Sequence, residues 1–288
     1  MRIKCGHDID RPRPASEDPP SRLDEGHRDY VAALARGLAV IQAFTEGSPE
    51  MTLSEVAQAT GMSPATARRA RLTLQSLGYV GANGRRFLLL PKVLSLGAAY
   101  LSSMNLRDVV QPFLQEVADR FRDSVSLAIL DGDSVVYLAH VPSSRRIMFR
   151  ASVGYRLPVH CTSLGLALLA HAAQAQQEAV LARAPFQKFT PMTLSEAEPL
   201  RTALEQVREQ GYALQESQLE IGVLSVAVPV RDASRRVIAA INCSTESGRA
   251  STQDLVSERL PALRNAAAMI ESALLRAPAL AHSITAAG

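Results

Sequence analysis

The sequence holds no tryptophan and only three cysteines, Cys5, Cys161 and Cys243. Far apart and odd in number, they make neither a disulfide framework nor a cysteine-rich zinc site. They suit the reduced thiols of a cytoplasm, and no metal or cofactor is implied. Long apolar runs are lacking too. None reaches the roughly 20 residues that span a bilayer, and the N-terminal stretch MRIKCGHDIDRPRPASEDPPSRLDEGHRD has no apolar core of a signal peptide. A cytoplasmic protein without membrane contact is expected. Excess charge is missing as well: 31 Lys and Arg against 28 Asp and Glu leave a net +3. That is too little to argue for a nucleic-acid partner by itself, so such a case must rest on where the charges sit.

What is present is an ordinary globular composition, 47% apolar and 20% charged, over 288 residues, enough for two domains. Residues 1–27, rich in proline and mixed charge, read as a disordered tail. A domain is expected over 28–92. It opens on a helix in YVAALARGLAVIQAF, whose Val31, Leu34, Leu38, Ile41 and Phe44 recur at helical spacing. Thr52 and Glu55 form a capping-box signature for a second helix, LSEVAQAT, closed by Gly61. Ser63 and Pro64 then suit the cap and first position of a third helix. Two short helices joined by a tight glycine turn make a helix-turn-helix.

In that third helix Ala67, Ala70, Leu74 and Leu77 share one face for packing, which leaves Ser63, Thr66, Arg68 and Arg69 exposed near its start. A recognition helix presents this portion to the major groove. After Gly78, Asn83-Gly84 predicts the turn of a hairpin, or wing, with Arg85 and Arg86 beside its tip. Arginine's planar fork binds phosphates and guanine edges alike. The DNA-facing set is therefore Ser63, Thr66, Arg68, Arg69, Arg85 and Arg86, joined by Arg36 of the first helix and by Arg71, which sits at the edge of the packing face.

Residues 93–104 read as a linker helix, and 105–277 as a second, α+β domain before a short tail, 278–288. NLRDVVQPFLQEVADRF carries a broad apolar stripe through Leu106, Val109, Val110, Phe113, Leu114, Val117 and Phe121. SVSLAIL and SVVYLAHV read as a hairpin around DGD, RRIMFRAS as a third extended piece, and GVLSVAVPVRD with RVIAAINCST as another strand pair. Helices are expected at SLGLALLAHAA, EAEPLRTALEQVREQ and TQDLVSERLPALRNAAAMIESALL. The helix start near Thr162 to Leu164, with free amides and a positive dipole end, favours a carboxylate.

LARGLAVIQAF, MTLSEVAQATGMSPATARRARLTLQSLGYV and FLLLPKVLSLG resemble the DNA-binding domain of the IclR family of bacterial transcriptional regulators. DGDSVVYLAHVPSSRRIM, SVGYRLPVHCTSLG, LEIGVLSVAVPVRD and AAINCST extend the likeness to the branch controlling catabolism of protocatechuate and 4-hydroxybenzoate. The resemblance implies a winged helix-turn-helix followed by a GAF-like effector domain. It also implies a homodimer, with pairing of dimers left open, that binds double-stranded operator DNA and a small organic acid, an aromatic carboxylate or dicarboxylate. By the same likeness the effector pocket falls on Arg146, Phe149, Leu157, Ser163, Leu164, Gln215, Ser225, Asn242 and Ser244. Two departures stand out: Arg71 replaces a usually apolar residue, and Gln215 an often acidic one. Two rival readings are a hydrolase or acyltransferase using Cys161 with His160, and a sensor module that does not bind DNA.

Overall fold

The computed structural model describes residues 26–45, 47–98, 106–143, 152–277 and 280. The chain divides into two compact units, 1–95 and 96–288, a break that falls inside the expected linker.

In the first unit α1 (Ala32–Gln42), α2 (Leu53–Thr60) and α3 (Pro64–Ser76) pack together beside a small antiparallel sheet. That sheet has the order β1 (Glu50–Thr52), β3 (Arg86–Leu89), β2 (Val80–Asn83). The Thr52 hydroxyl accepts from the Glu55 amide while the Glu55 carboxylate accepts from the Thr52 amide at 2.6 Å, so α2 opens on a complete capping box. Gly61 closes it in the left-handed conformation, φ +66°. Ser63 caps α3 and Pro64 is its first residue. The core is Val40, Met51, Val56, Ala57, Ala67, Leu74 and Val80.

Three expectations change here. Val31, Leu34 and Leu38 of the predicted α1 stripe are exposed, Leu34 by 63%, and Val40 is the residue that packs inward. The helix begins only at Ala32, and of the predicted stripe Ile41 and Phe44 pack against the core beside Val40. Leu77 lies just past the end of α3 and is exposed, because the turn into Gly78 carries it off the packing face. The wing's central pair is Gly84-Arg85 rather than Asn83-Gly84, since Asn83 pairs with Arg86 across the hairpin. Gly84, at φ +60°, occupies the first central position where a two-residue turn wants glycine. Past the wing a 3₁₀ turn (Pro91–Val93) leads into helix 94–98, where description of the expected linker helix ends.

The second unit is one six-stranded antiparallel sheet between helices. The strands are β4 (Ser124–Asp131), β5 (Ser134–Val141), β6 (Arg156–Pro158), β7 (Ala213–Glu216), β8 (Val223–Arg231) and β9 (Val237–Glu246), in the order β6-β5-β4-β9-β8-β7. The extended piece expected at 145–152 lies almost wholly outside the described residues, and β7 was not foreseen. One sheet face carries Val125, Leu127, Val226, Val228 and Ile241, covered by α4 (Leu106–Phe121) and the C-terminal helix. That helix runs as α8 (Thr252–Asp254), a wider π segment (Leu255–Arg259) and α9 (Leu260–Leu275). The opposite face meets α5 (Ser163–Leu169), which in turn packs on α7 (Ala197–Gln210), with α6 (Gln174–Leu181), also unforeseen, beside α7.

α5 lies so close to the preceding turn that a Cβ on Gly165 would sit 2.2 Å from the Val159 carbonyl oxygen. Backbone cannot yield as a flexible side chain does. Gly165→Ala is therefore expected to destabilise the second unit by about 3 kcal/mol. Urea denaturation followed by circular dichroism measures this, and a variant as stable as the parent would contradict the packing.

Candidate functional site

Two surfaces gather the residues singled out in the sequence. On α3 the Ser63 hydroxyl accepts from the Thr66 amide and donates to the Thr66 hydroxyl at 3.0 Å, so both hydroxyls take part in the cap while remaining on the helix's outer start. Arg36, Arg68, Arg69 and Arg85 are exposed, and among the described residues none of them has a salt-bridge partner. Two arginines expected on this face are engaged inside the unit. Arg86 donates to the Glu50 carbonyl at 3.0 Å and lies 3.7 Å from the Glu55 carboxylate, so it ties the wing to α2. Hydrogen bonds from Thr52, with Arg86 adding its charge, hold the Glu55 carboxyl below its usual range. Arg71 lays its guanidinium over the Phe87 ring at 4.2 Å and donates to Gln75 at 3.1 Å. Burial, then the nearby Arg68, lower the Arg71 pKa. A planar cation stacked on an aromatic ring fills the place of an apolar side chain, which accounts for the departure at this position.

In the second unit a cavity of about 50 Å³ opens on the α5 side of the sheet. Alternate residues of four strands, β4, β9, β8 and β7, make its floor. Ser124 pairs with Ser244, Ser126 with Asn242, Ser225 with Ser244 and Gln215 with Ser225, so their side chains share one face in two adjacent rows. Leu157, Tyr137, His140, Cys161, Thr162, Ser163, Leu219, Glu220 and Val223 complete the lining. Ser225 Oγ is 2.7 Å from Ser163 Oγ and 2.8 Å from Ser244 Oγ, and Asn242 Nδ2 donates to both strand serines at 3.1 and 3.0 Å. Two buried atoms in this network have no partner among the described residues: Gln215 Nε2, a donor, and Asn242 Oδ1, an acceptor. Their residues are 4% and 5% exposed. An unmet buried polar group costs about 1–3 kcal/mol, so this floor is suited to a guest that accepts from one amide and donates to the other.

Six of the nine expected pocket residues thus come together: Leu157, Ser163, Gln215, Ser225, Asn242 and Ser244. Leu164 does not. It is fully buried in the core, because the next helical position is rotated about 100° from Ser163. Arg146 and Phe149 lie outside the described residues. Ser124 and Ser126 were missed although their alternation, like that of Asn242 and Ser244, was readable. Tyr137 and His140 were hidden by a bulge: β5 slips against β4 at Leu127/Ala128, so residues three apart reach the same cavity.

Residues 98–272 match the bacterial transcriptional regulator IclR C-terminal domain, and residues 33–84 the IclR helix-turn-helix domain. The chain belongs to the IclR family of transcriptional regulators. The "Pca regulon regulatory protein" of Pseudomonas putida is 41% identical over 239 residues, 83% of this chain and 82% of that protein. The "p-hydroxybenzoate hydroxylase transcriptional activator" of Acinetobacter baylyi is 34% identical over 83% of this chain and 90% of its own. An IclR homologue from Microbacterium hydrocarbonoxydans, solved with 4-hydroxybenzoate, superposes with TM-score 0.71 at 28% identity, over 85% of this chain and 100% of that one.

In this IclR-family chain the His160–Cys161 pair does not assemble as base and nucleophile. The His160 ring stacks on Phe186 with centroids 4.8 Å apart, and its Nε2 is 3.0 Å from the Gln187 carbonyl oxygen. The Cys161 thiol rests 3.8 Å from the Pro158 carbonyl oxygen, and burial pushes its pKa up to about 12. A thiol this reluctant to ionise is a poor nucleophile.

The arginines of the wing are expected to separate by measurement. Arg86→Ala should lower the stability of the first unit by about 1 kcal/mol, since it loses an exposed hydrogen bond to the Glu50 carbonyl and a half-exposed ion pair with Glu55. Arg85→Ala should leave stability unchanged. Thermal denaturation of both variants checks this, and equal stabilities would remove Arg86 from its bracing role.

Proposed function

We propose that this regulator controls genes of aromatic acid catabolism by binding a hydroxylated aromatic carboxylate in the cavity of its second unit, which widens from about 50 Å³ to admit the ring. The observation that carries the reading is the buried polar floor with its unmet donor at Gln215 and unmet acceptor at Asn242. A hydroxylated ligand supplies both kinds of partner, an acceptor for Gln215 Nε2 and a donor for Asn242 Oδ1. Leu157 and the aliphatic lining cover the ring. The Pca and p-hydroxybenzoate regulators among its relatives, and the 4-hydroxybenzoate in the Microbacterium homologue, support the same class of effector.

DNA is read by the start of α3, where Arg68 and Arg69 face bases and phosphates with Ser63 and Thr66. Arg36 and Arg85 contact flanking phosphates, and Arg71 and Arg86 brace the unit that presents them. The chain acts as a cytoplasmic homodimer that places two α3 helices in successive major grooves of a near-palindromic operator. The exposed Val31, Leu34 and Leu38 on one side of α1, with Leu94 beyond the wing, offer apolar surface to the second copy. Catalysis by Cys161 plays no part, so Cys161→Ala is expected to keep its effector response.

Restoring two unmet hydrogen bonds is worth a few kcal/mol, of the order needed for a coupling of about 1–3 kcal/mol between effector and operator. Linkage makes that coupling reciprocal: operator fragment must change effector affinity by the factor by which effector changes operator affinity. Fluorescence anisotropy on the chain's own upstream promoter fragment tests the DNA half. Arg69→Ala should weaken binding at least tenfold, and Arg85→Ala should shallow the salt dependence by about one ion. Ser163→Phe should abolish the response to 4-hydroxybenzoate or protocatechuate while operator binding is kept. Unaltered binding in both arginine variants would overturn the DNA face, and a normal response in the serine variant would move the effector elsewhere.

A further inference from the structure

The cavity floor has two unlike ends. At the Gln215–Asn242 end the strand side chains Gln215, Ser225, Asn242 and Ser244 are uncharged, and at the start of α5 both side-chain hydroxyls are engaged within the protein. Thr162 Oγ1 accepts from the Gly165 amide at 3.1 Å, and Ser163 Oγ is committed to Ser225 Oγ at 2.7 Å. At the other end His140, on β5, lies beside Ser126 on β4, with Nδ1 and Ser126 Oγ hydrogen-bonded at 2.9 Å. With Nδ1 so engaged, Nε2 is the ring nitrogen left for a guest, and among the described residues it has no partner. His140 is also, among the described lining residues, the side chain that can become a cation. From His140 to Asn242 is two strand spacings, about 10 Å, a span that a para-substituted benzoate bridges with its carboxylate at one end and its hydroxyl at the other.

We propose that His140 is the charge partner of the effector carboxylate, and that effector binding takes one proton from solvent onto the His140 imidazole. The inference rests on the aromatic-acid reading above and adds orientation and proton coupling to it. In the empty protein burial holds His140 below the ordinary histidine value, so the ring is neutral near pH 7. A carboxylate arriving at Nε2 reverses the balance, because an anion at hydrogen-bond distance favours the imidazolium. The ring then donates Nδ1–H to Ser126 and Nε2–H to the ligand, and the bound pair is neutral overall. The other groups that titrate on this lining are Tyr137 on β5, Cys161 before α5 and Glu220 after β7. Burial raises the pKa of both Tyr137 and Cys161, so both are already protonated and take up nothing. Glu220 also lines the cavity, and a variant separates it from His140.

The test is titration calorimetry of the full chain with 4-hydroxybenzoate in buffers of differing ionisation enthalpy, from about pH 6.5 to about pH 8. Uptake of close to one proton is expected, with Kd rising by up to roughly tenfold per pH unit, the slope of a single linked proton. The neutral analogue 4-hydroxybenzamide should bind with no uptake. His140→Gln, which keeps a hydrogen-bonding group toward Ser126, should flatten the pH profile, while Glu220→Gln should leave it intact. Measurements on the parent protein alone already decide the matter if the histidine variant fails to fold. Binding of the acid without proton uptake, or uptake that persists in His140→Gln, overturns this proposal and leaves the effector cavity standing. Failure of 4-hydroxybenzoate, protocatechuate and other aromatic acids to bind at all would instead remove the effector reading, and this inference with it.

Discussion

The register of β9 between β4 and β8 decides which side chains of the second unit become core and which become site. Along β9, Ile241 and Cys243 face the helices α4 and α9, while Ala240, Asn242 and Ser244 face α5. Because side chains alternate strictly, a slip of one residue would drive Asn242 and Ser244 into apolar core and turn Ile241 into the cavity. Burying two polar side chains without partners costs several kcal/mol, so the apolar face enforces the register that builds the polar floor. Fold and binding site are in this sense products of the same pairing.

The first unit shows a different economy, in which one residue type is divided between two tasks. Arg71 and Arg86 are drawn inward by Phe87, Gln75, Glu50 and Glu55. Arg68, Arg69 and Arg85 have no salt-bridge partner among the described residues and stay outside. The difference follows from position: Arg86 opens β3 next to the edge of β1, and Arg71 projects from α3 toward the wing. An arginine whose long apolar stem lies against a ring or a strand contributes packing as well as charge. Basic composition alone would have assigned all of these residues to DNA.

The two ends of the cavity call on different physics. In the proposed effector site Gln215, Ser225, Asn242 and Ser244 would discriminate by neutral hydrogen bonds, whose value lies in leaving none unmet, and such sites reject a ligand that lacks the matching hydroxyl. The His140 end, as proposed, would read charge instead. A buried anion without a counter-charge is costly to desolvate, and a histidine kept neutral by burial is a partner that acquires its charge only when the anion arrives. An effector site with these two ends would tell a hydroxylated aromatic acid both from its amide and from the unsubstituted acid.

By itself the sequence determined the helix-turn-helix, since Thr52, Glu55, Gly61, Ser63 and Pro64 act within a few residues of where they stand, and capping chemistry is local. Period-two and period-four spacing likewise marked the four long strands and the helices over them. The exposure of Val31, Leu34 and Leu38, the burial of Leu164 and the recruitment of Arg86 were settled only in three dimensions, because each turns on which neighbouring element covers which side of a helix or strand. His140 and Tyr137 joined the cavity through a bulge in β5, a shift in pairing between strands that one strand's own pattern does not carry. Short-range hydrogen bonding is written in consecutive residues, whereas the partner across a sheet is chosen by packing of the whole domain.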